Sequence, residues 1–199
     1  KKKHYNAIST ALSVVLFIAI SLLFGLRNEE VGTDTTMVKY QFEYYNKVDF
    51  GFQFFYDFLL VLVGRVTDNY RIFLLVLSFL FNGLIFSSDL ILSKKIKFNV
   101  FLISFSFISF YFFENLGINI VRQGVSLAFF LLAISLYFKN PSKYKSWIIP
   151  LVLGIGFHIT TAVILLLFGL IVFFKKIKIT YYYILYFLVL MISALGGSI

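Results

Sequence analysis

The sequence contains no cysteine, and only 14% of its 199 residues carry a charge. The absence of cysteine excludes a disulfide-stabilised scaffold. A soluble domain has about 25% charged residues, so this chain could not cover a globule with a hydrated surface. It also has no repeat period and no charge-rich tract, which excludes a coiled coil, a collagen-like chain and a disordered segment.

Several common chemistries lack the residues that they need. The two histidines are far apart and have no carboxylate at ligand spacing, so the sequence predicts no zinc site. The phosphate-binding pattern GxxxxGK[ST] is missing, and no Ser-His-Asp catalytic triad can be recognised in the sequence. We therefore expect neither a metal nor a cofactor.

Long apolar runs are what the sequence does have, with 60% hydrophobic and 21% aromatic residues. A helix needs about 20 apolar residues to cross a bilayer, and this chain has several such runs. The pattern predicts an all-α, polytopic transmembrane protein with one integral membrane domain over residues 1–199. Because the chain starts without methionine and stops inside an apolar run, we expect a fragment of a longer protein.

The charges are sorted along the chain, although their net value is +9. All four arginines and eight of the nine acids lie outside the lysine clusters. Lysine excess marks cytoplasmic loops, which predicts about +11 inside, about −2 outside and a cytoplasmic N-terminus. This split makes nucleic acid an unexpected partner. Twelve of the fourteen lysines form the four clusters, at 1–3, 94–97, 139–145 and 175–178.

The charge pattern also assigns a direction to each predicted span. Residues 27–70 form an extracytoplasmic loop, within which the apolar run 51–64 has only 14 residues and is predicted to be a short interfacial or re-entrant helix. The predicted crossings are 7–26 outward, 71–92 inward, 99–114 outward, 118–138 inward and 180–199 outward.

The run 147–174 is too long for one ordinary span. Its 28 residues would make a helix of about 42 Å, against a hydrocarbon core of about 30 Å. A broken pair of half-helices that turns near Gly154, Gly156 and His158 keeps both ends inside, and we favour it. The alternative is one long tilted span.

Two residues stand out inside apolar helices. Arg122 lies about one turn inside such a run, where a charge is costly and indicates function. A salt bridge with Glu114 is the structural alternative, and Gln123 adds neutral hydrogen-bonding groups. His158 can act as a general base near neutral pH, although a lone histidine in an apolar run is more often a packing residue.

The outer loop offers a second group of candidates. Arg27 lies where the first helix leaves the membrane, either as an interfacial anchor or as a phosphate ligand, since arginine binds phosphate oxygens bidentately. Asp34 is predicted to cap the helix that follows it. Tyr40 and Tyr44 lie among acidic residues, and aromatic faces beside carboxylates suit sugar rings.

Four stretches resemble the EpsG-type branch of the Wzy-like oligosaccharide repeat-unit polymerases of bacteria. They are GLRNEEVGTDT at 25–35, DFGF at 49–52, NIVRQGVSLAFFLLAIS at 119–135 and FHITTAV at 157–163. The resemblance covers most of the chain. The arginine-containing helix followed by the histidine segment is its most distinctive pair.

This resemblance implies a glycosyltransferase-C-like membrane enzyme that joins undecaprenyl-diphosphate-linked repeat units at the outer face of the cytoplasmic membrane. It implies that Arg122 and Arg27 hold the diphosphate and that His158, Asp34 or Glu114 takes the acceptor proton. A chain-length regulator and a flippase of the same pathway are expected partners. Further substrate contacts are expected from Gln123, Glu114, Asn119, Tyr40 and Tyr44.

Two other functions fit the same residues. A flippase or transporter for lipid-linked oligosaccharide also needs outer arginines and a broken helix pair. A non-catalytic subunit of a polysaccharide export complex needs neither a specific arginine nor a histidine. The resemblance, and not the composition, puts the polymerase first.

Overall fold

Helices make up the regular structure in the part of the chain that the structure describes. This structure is a computed structural model and describes residues 2–173 together with Tyr183 and Phe187. The chain divides into two compact units, 1–162 and 163–199. The helices are α1 (Lys2–Gly25), α2 (Thr33–Glu43), α3 (Phe54–Gly64), α4 (Tyr70–Ile96), α5 (Val100–Ile108), α6 (Tyr111–Ile118), α7 (Val121–Lys139), α8 (Tyr144–Phe157) and α9 (Thr160–Phe173), with one 3₁₀ turn at Tyr45–Lys47.

Three of the described helices are long and apolar enough to cross a membrane. They are Ala7–Gly25 of α1, Tyr70–Ile96 and Val121–Lys139, which confirms the spans predicted at 7–26, 71–92 and 118–138. The chain is a multi-pass membrane protein. At 27 residues α4 is about 40 Å long, so its lysine-bearing end extends beyond the apolar core of a bilayer.

The spans pack side by side around α4. Helices α1 and α7 both pack against it, and α8 packs against α7. Small and hydroxyl residues allow the close approach of α1 and α4, as is usual for helices in membranes. The Ser78 hydroxyl donates to the Ser21 carbonyl at 2.9 Å. A Cβ on Gly25 would lie 2.7 Å from the Cα of Leu75.

The crossing predicted at 99–114 is not one straight helix. Helices α5 and α6 replace it, bent by 72° at Ser109 and Phe110, as a broken span or a re-entrant loop. No proline or glycine marks this bend. After the bend, the backbone of Leu116 in α6 lies directly against Gly124 of α7, where a Cβ would be 2.1 Å from the Leu116 oxygen.

The run 147–174 forms two helices, α8 and α9, and not the single long helix. The backbone of His158, between them, is extended at φ −164° and ψ 144°. This confirms the predicted break. The short run 51–64 also forms a separate helix, α3, of 11 residues. The span predicted at 180–199 lies outside the described residues.

Trp147 is the one tryptophan of the sequence, and it lies near the start of α8. Its ring meets that of Tyr137 edge to face at 5.6 Å. Its indole N–H donates to the Pro141 carbonyl at 3.1 Å. The tryptophan therefore belongs to the end of the bundle where α7 finishes, one helix length from Arg122.

Candidate functional site

The site is built at the end of the bundle where α7 begins, and α2 supplies one wall. Asp34, Met37 and Gln41 follow one another at helical spacing, so they share one face of α2. Gly32, with φ +86°, starts that helix. A Cβ there would lie 2.4 Å from a methyl carbon of Ile118, so the loop fits closely against the end of α6.

Arg122 is half-buried in the first turn of α7. Its guanidinium donates to the Gln53 side-chain oxygen at 3.1 Å and approaches the sulfur of Met37 at 3.6 Å. Its carbon Cζ lies 5.3 Å from the centre of the Tyr56 ring, which is cation–π geometry. These three direct contacts of Arg122 are all with neutral groups.

The alternative salt bridge between Arg122 and Glu114 is not formed. Lys39–Glu29 is the one ion pair among the described residues. Glu114 is exposed on α6. The structure therefore removes the simplest structural explanation for an arginine at this position.

Tyr56 is the fixed surface beneath the guanidinium. Its side chain is 1% exposed, its ring meets that of Phe73 edge to face at 5.7 Å, and its hydroxyl donates to the Gln41 oxygen at 3.0 Å. Burial raises the pKa of Tyr56 well above its usual value, against the opposing charge of Arg122. The phenol is thus neutral and immobile.

Asp34 does not cap its own helix, so that prediction is wrong. Its Oδ2 atom accepts a hydrogen bond from the backbone N–H of Val121 at 3.2 Å. Asp34 follows the first residue of α2, too late to act as its N-cap. Ile120, the N-cap residue of α7, provides no side-chain cap for that helix. The carboxylate therefore satisfies a free N–H at the start of α7, directly beside Arg122.

His158 contributes a ring whose orientation is fixed by the start of α9. The backbone N–H of Thr160 donates to Nδ1 at 3.2 Å, and the Thr160 hydroxyl oxygen lies 2.6 Å from the same nitrogen. Because Nδ1 accepts an N–H, the neutral ring carries its proton on Nε2. His158 lies outside the candidate spans, and burial lowers its pKa below the usual value. Arg122 lowers this pKa further, while Asp34 opposes the shift.

A buried hydroxyl pair holds the His158 segment against α7. The Ser126 hydroxyl oxygen lies 2.9 Å from the Gly154 carbonyl oxygen, 3.0 Å from that of His158 and 2.6 Å from the Thr161 hydroxyl. Thr161 in turn donates to the Ser126 carbonyl at 2.9 Å. Ser126 lies one turn after Arg122 in α7, so one helix positions both the arginine and the histidine.

Arg27 is 7% exposed. Its three donor nitrogens reach the Thr35 hydroxyl at 2.7 Å, the Phe24 carbonyl at 2.6 Å and the Ile118 carbonyl at 3.3 Å. Burial lowers its pKa to about 10, against the charge of Asp34, so it stays charged at neutral pH. These bonds favour a role in joining α1, α2 and α6, while contact with a diphosphate stays a prediction.

The other predicted contacts fall into two groups. Asn119 links helices, since its side-chain oxygen accepts from the Thr33 backbone N–H at 3.1 Å and its amide donates to Asn115 at 2.8 Å. Tyr40 and Tyr44 form an exposed pair with ring centres 4.8 Å apart, on a face of α2 that adjoins the Asp34 face. Gln123 is half-buried beside Arg122.

Sequence reasoning missed the residues that α3 contributes. Gln53, Tyr56 and Asp57 are spaced i, i+3 and i+4 and so share one helix face. Asp57 Oδ2 accepts from the Gly51 N–H at 3.3 Å, and burial raises the pKa of Asp57 while Arg122 lowers it. A polar stripe in an otherwise apolar run of 14 residues was the signal that could have identified them.

The residues predicted as catalytic thus lie in one place. Arg122 and Asp34 both influence the pKa of His158, and Asp34 binds the N–H of Val121, the neighbour of Arg122, although the three residues come from separate parts of the sequence. In the described residues no three histidine, aspartate or glutamate side chains are grouped as metal ligands would be. The molecule is therefore a multi-pass, all-helical membrane protein with a polar site gathered at one end of its helices.

Comparison with known families assigns the chain more narrowly. The sequence profile of the EpsG family matches residues 10–199, and the chain belongs to this family. Membership associates the protein with polysaccharide biosynthesis in a membrane. No curated protein and no solved structure matches the chain.

Proposed function

We propose that the protein is a glycosyltransferase that joins undecaprenyl-diphosphate-linked oligosaccharide repeat units into a surface polysaccharide, such as O-antigen, capsule or exopolysaccharide. The reaction takes place at the outer face of the bacterial cytoplasmic membrane and needs no metal. Family membership supports the polysaccharide. The observation that carries the proposal is Arg122, a half-buried arginine that forms no ion pair with any described residue, beside an aspartate and a histidine.

The reaction forms one glycosidic bond and breaks one bond to a diphosphate. The acceptor hydroxyl oxygen attacks the anomeric carbon of the donor glycan, and the bond from that carbon to the diphosphate oxygen breaks. Negative charge develops on the leaving diphosphate, where a fixed cation stabilises the transition state most. Arg122 supplies this cation, and the N–H groups at the start of α7 add a positive end of a helix dipole.

Tyr56 and Gln53 hold the Arg122 guanidinium in place before substrate binds. The Tyr56 ring covers one face of the guanidinium, and the Gln53 oxygen accepts one of its N–H groups. An arginine has five N–H donors, so most remain for phosphate oxygens. Preorganisation of this kind avoids the cost of orienting the charge during the reaction.

Sequence reasoning left the proton acceptor open between His158, Asp34 and Glu114. The Thr160 N–H holds Nδ1 of His158 as an acceptor, so the neutral ring offers Nε2–H, which is a donor. We assign His158 as a donor to a diphosphate oxygen and Asp34 as the base that takes the acceptor proton. One Asp34 oxygen binds the Val121 N–H, and the other remains to accept the proton.

The remaining predicted residues fill supporting roles in this proposal. Arg27 and Asn119 position α2 and the start of α7 through their hydrogen bonds. The exposed Tyr40 and Tyr44 rings offer a stacking surface for sugars. Phe52, just before α3, and Phe58, within it, are exposed. Their apolar rings offer a surface for the polyprenyl chain.

The test is the length of surface glycan in a deletion strain complemented with variants. Arg122→Ala is expected to abolish polymer while single repeat units still reach the surface, as seen by gel analysis. Arg65→Ala, at an exposed arginine at the end of α3, is the matched control and is expected to retain polymer. Unchanged chain length in Arg122→Ala contradicts the proposal.

The same experiment separates the other two functions. A flippase predicts that Arg122→Ala removes surface glycan altogether, including single repeat units. A non-catalytic subunit of an export complex predicts that Arg122→Lys and His158→Asn are both tolerated. Retention of single units with loss of polymer is the outcome that supports a polymerase.

A further inference from the structure

A cavity of about 470 Å³ lies at the other end of the bundle, where α4 and α7 finish. It is within the size range of ligand pockets. The lining residues are Ser87, Leu90, Ile91, Lys94 and Lys95 of α4 and Lys139 of α7. The three lysines come from two of the sequence clusters, and the fold brings them to one cavity.

The charge of this cavity is entirely positive. In the part of the chain that the structure describes, no acidic side chain lines it, and the one ion pair found there involves none of its lysines. Asp89, the nearest acid along α4, is fully buried and accepts a hydrogen bond from the Ser104 hydroxyl at 2.9 Å. Three ammonium groups around one cavity therefore favour the binding of an anion.

The wall below the lysines is apolar and continues into the membrane-spanning part of α4. Gly83, Ser87, Leu90 and Lys94 lie on one helix face, and α4 is a candidate span. Gly83 is exposed, and a Cβ built on it would meet nothing within 4 Å. The Ser87 hydroxyl is satisfied by the Gly83 carbonyl at 2.7 Å. This exposed face of α4 from Gly83 to Leu90, called the apolar groove below, thus has open space at Gly83.

We propose that this cavity binds an anionic phospholipid, with the phosphate between Lys94, Lys95 and Lys139 and one acyl chain along Leu90, Ile91 and Gly83. Basic pockets between membrane helices bind anionic headgroups in this way. A small soluble anion would use the lysines alone and leave the apolar groove empty. The proposal is independent of the polymerase activity, since the site lies at the opposite end of α7.

The experiment is native mass spectrometry of the full chain in detergent with added dioleoyl phosphatidylglycerol or dioleoyl phosphatidylcholine. The unmodified protein is expected to retain phosphatidylglycerol preferentially. The triple variant Lys94→Gln, Lys95→Gln, Lys139→Gln is expected to bind it at least about tenfold more weakly, because each lysine contributes to anionic-lipid attraction. The double variant Lys143→Gln, Lys145→Gln removes charge outside the cavity and is expected to change binding less than about twofold.

Gly83→Leu tests the groove without altering any charge. It fills open space on an exposed face, so it is expected to fold as the unmodified protein does and to weaken phosphatidylglycerol binding severalfold. Equal lipid binding by the unmodified protein and the triple variant would overturn the proposal. Loss of bound lipid on adding excess inorganic phosphate, with no effect of Gly83→Leu, would also overturn it and indicate a soluble anion.

Discussion

At the scale of single residues, Arg122 keeps its charge because its partners are neutral. A tyrosine ring, an amide oxygen and a thioether stabilise the guanidinium without neutralising it. A lysine would keep the charge but lose the planar contact with Tyr56 and the bidentate fork. The identity of the residue, beyond its charge, therefore matters for the proposed reaction.

We expect Arg122→Lys to lower polymer formation at least about tenfold, since arginine and lysine are not interchangeable at a stacked, bidentate site. The measurement is polymerisation of lipid-linked repeat units by purified protein. Arg65→Lys, at an exposed position outside the site, is the control and is expected to have no effect. Full activity of Arg122→Lys would mean that only a point charge is required.

His158 offers a second residue-scale prediction. Glutamine can place an N–H near the position of Nε2, whereas the shorter asparagine cannot reach it. We expect His158→Gln to retain more activity than His158→Asn, measured as the rate of polymer formation. Equal and complete loss in both variants would instead favour His158 as the base.

The lowered pKa of His158 also predicts a pH dependence of stability. The unfolded chain binds a proton at the usual histidine pKa of about 6.5, while the native ring stays neutral to lower pH. The contribution of His158 is therefore present above that pKa and is lost as pH falls below it. The change in thermal stability between pH 7.5 and 5 is expected to be smaller in His158→Gln than in the unmodified protein.

At the scale of helices, the close approach of α6 to α7 depends on one glycine of α7. A Cβ at Gly124 would lie 2.1 Å from the Leu116 oxygen, which is backbone and cannot rotate away. We expect Gly124→Ala to lower the free energy of unfolding by about 1–3 kcal/mol, the usual cost of overpacking. The measurement is equilibrium unfolding in mixed detergent.

Gly83→Ala is the matched control for that prediction. It also lies inside a long span, but its added Cβ meets nothing within 4 Å. It is expected to be neutral or to raise stability by about 0.5–1 kcal/mol, because glycine is a poor helix residue. Equal destabilisation by both substitutions would mean that the close contact between Gly124 and Leu116 does not determine the cost.

The sequence predicted some helices well and missed others for a physical reason. The break at His158 follows two glycines and precedes β-branched residues, so local signals were sufficient. The bend at Ser109 and Phe110 has no such local signal, because neither a proline nor a glycine lies there.

The site also contains residues that the sequence could identify and residues that it could not. Arg122 and His158 could be found because polar residues are scarce in apolar helices. Tyr56 could not be distinguished among thirteen tyrosines until its ring was seen beneath a guanidinium. Asp34 was predicted to cap α2, the helix that follows it, but it caps α7. Sequence order could not indicate this, since Val121 at the start of α7 is 87 positions away.

At the scale of the whole molecule, the charge split predicts opposite sides for the two ends of the bundle. Because the chain has no native cysteine, single cysteines can be introduced without a background. Tyr40 and Tyr144 are 62% and 57% exposed, and they lie on the predicted outer and inner sides.

We expect a membrane-impermeant maleimide to label Tyr40→Cys in intact cells. Tyr144→Cys is expected to be labelled only after the membrane is made permeable, and labelling is read as a mass shift on a gel. Labelling of both variants in intact cells would contradict the predicted topology and place the lysine-rich end outside.

The position of Trp147 gives this protein a built-in optical reporter. Its indole is the sole one in the chain and lies against Tyr137, at the lysine-rich end and far from Arg122. Tryptophan fluorescence of the protein therefore reports on one end of the bundle alone. Phospholipids with brominated acyl chains would dim this emission as they arrive, while oligosaccharide arriving at Arg122 would leave it unchanged.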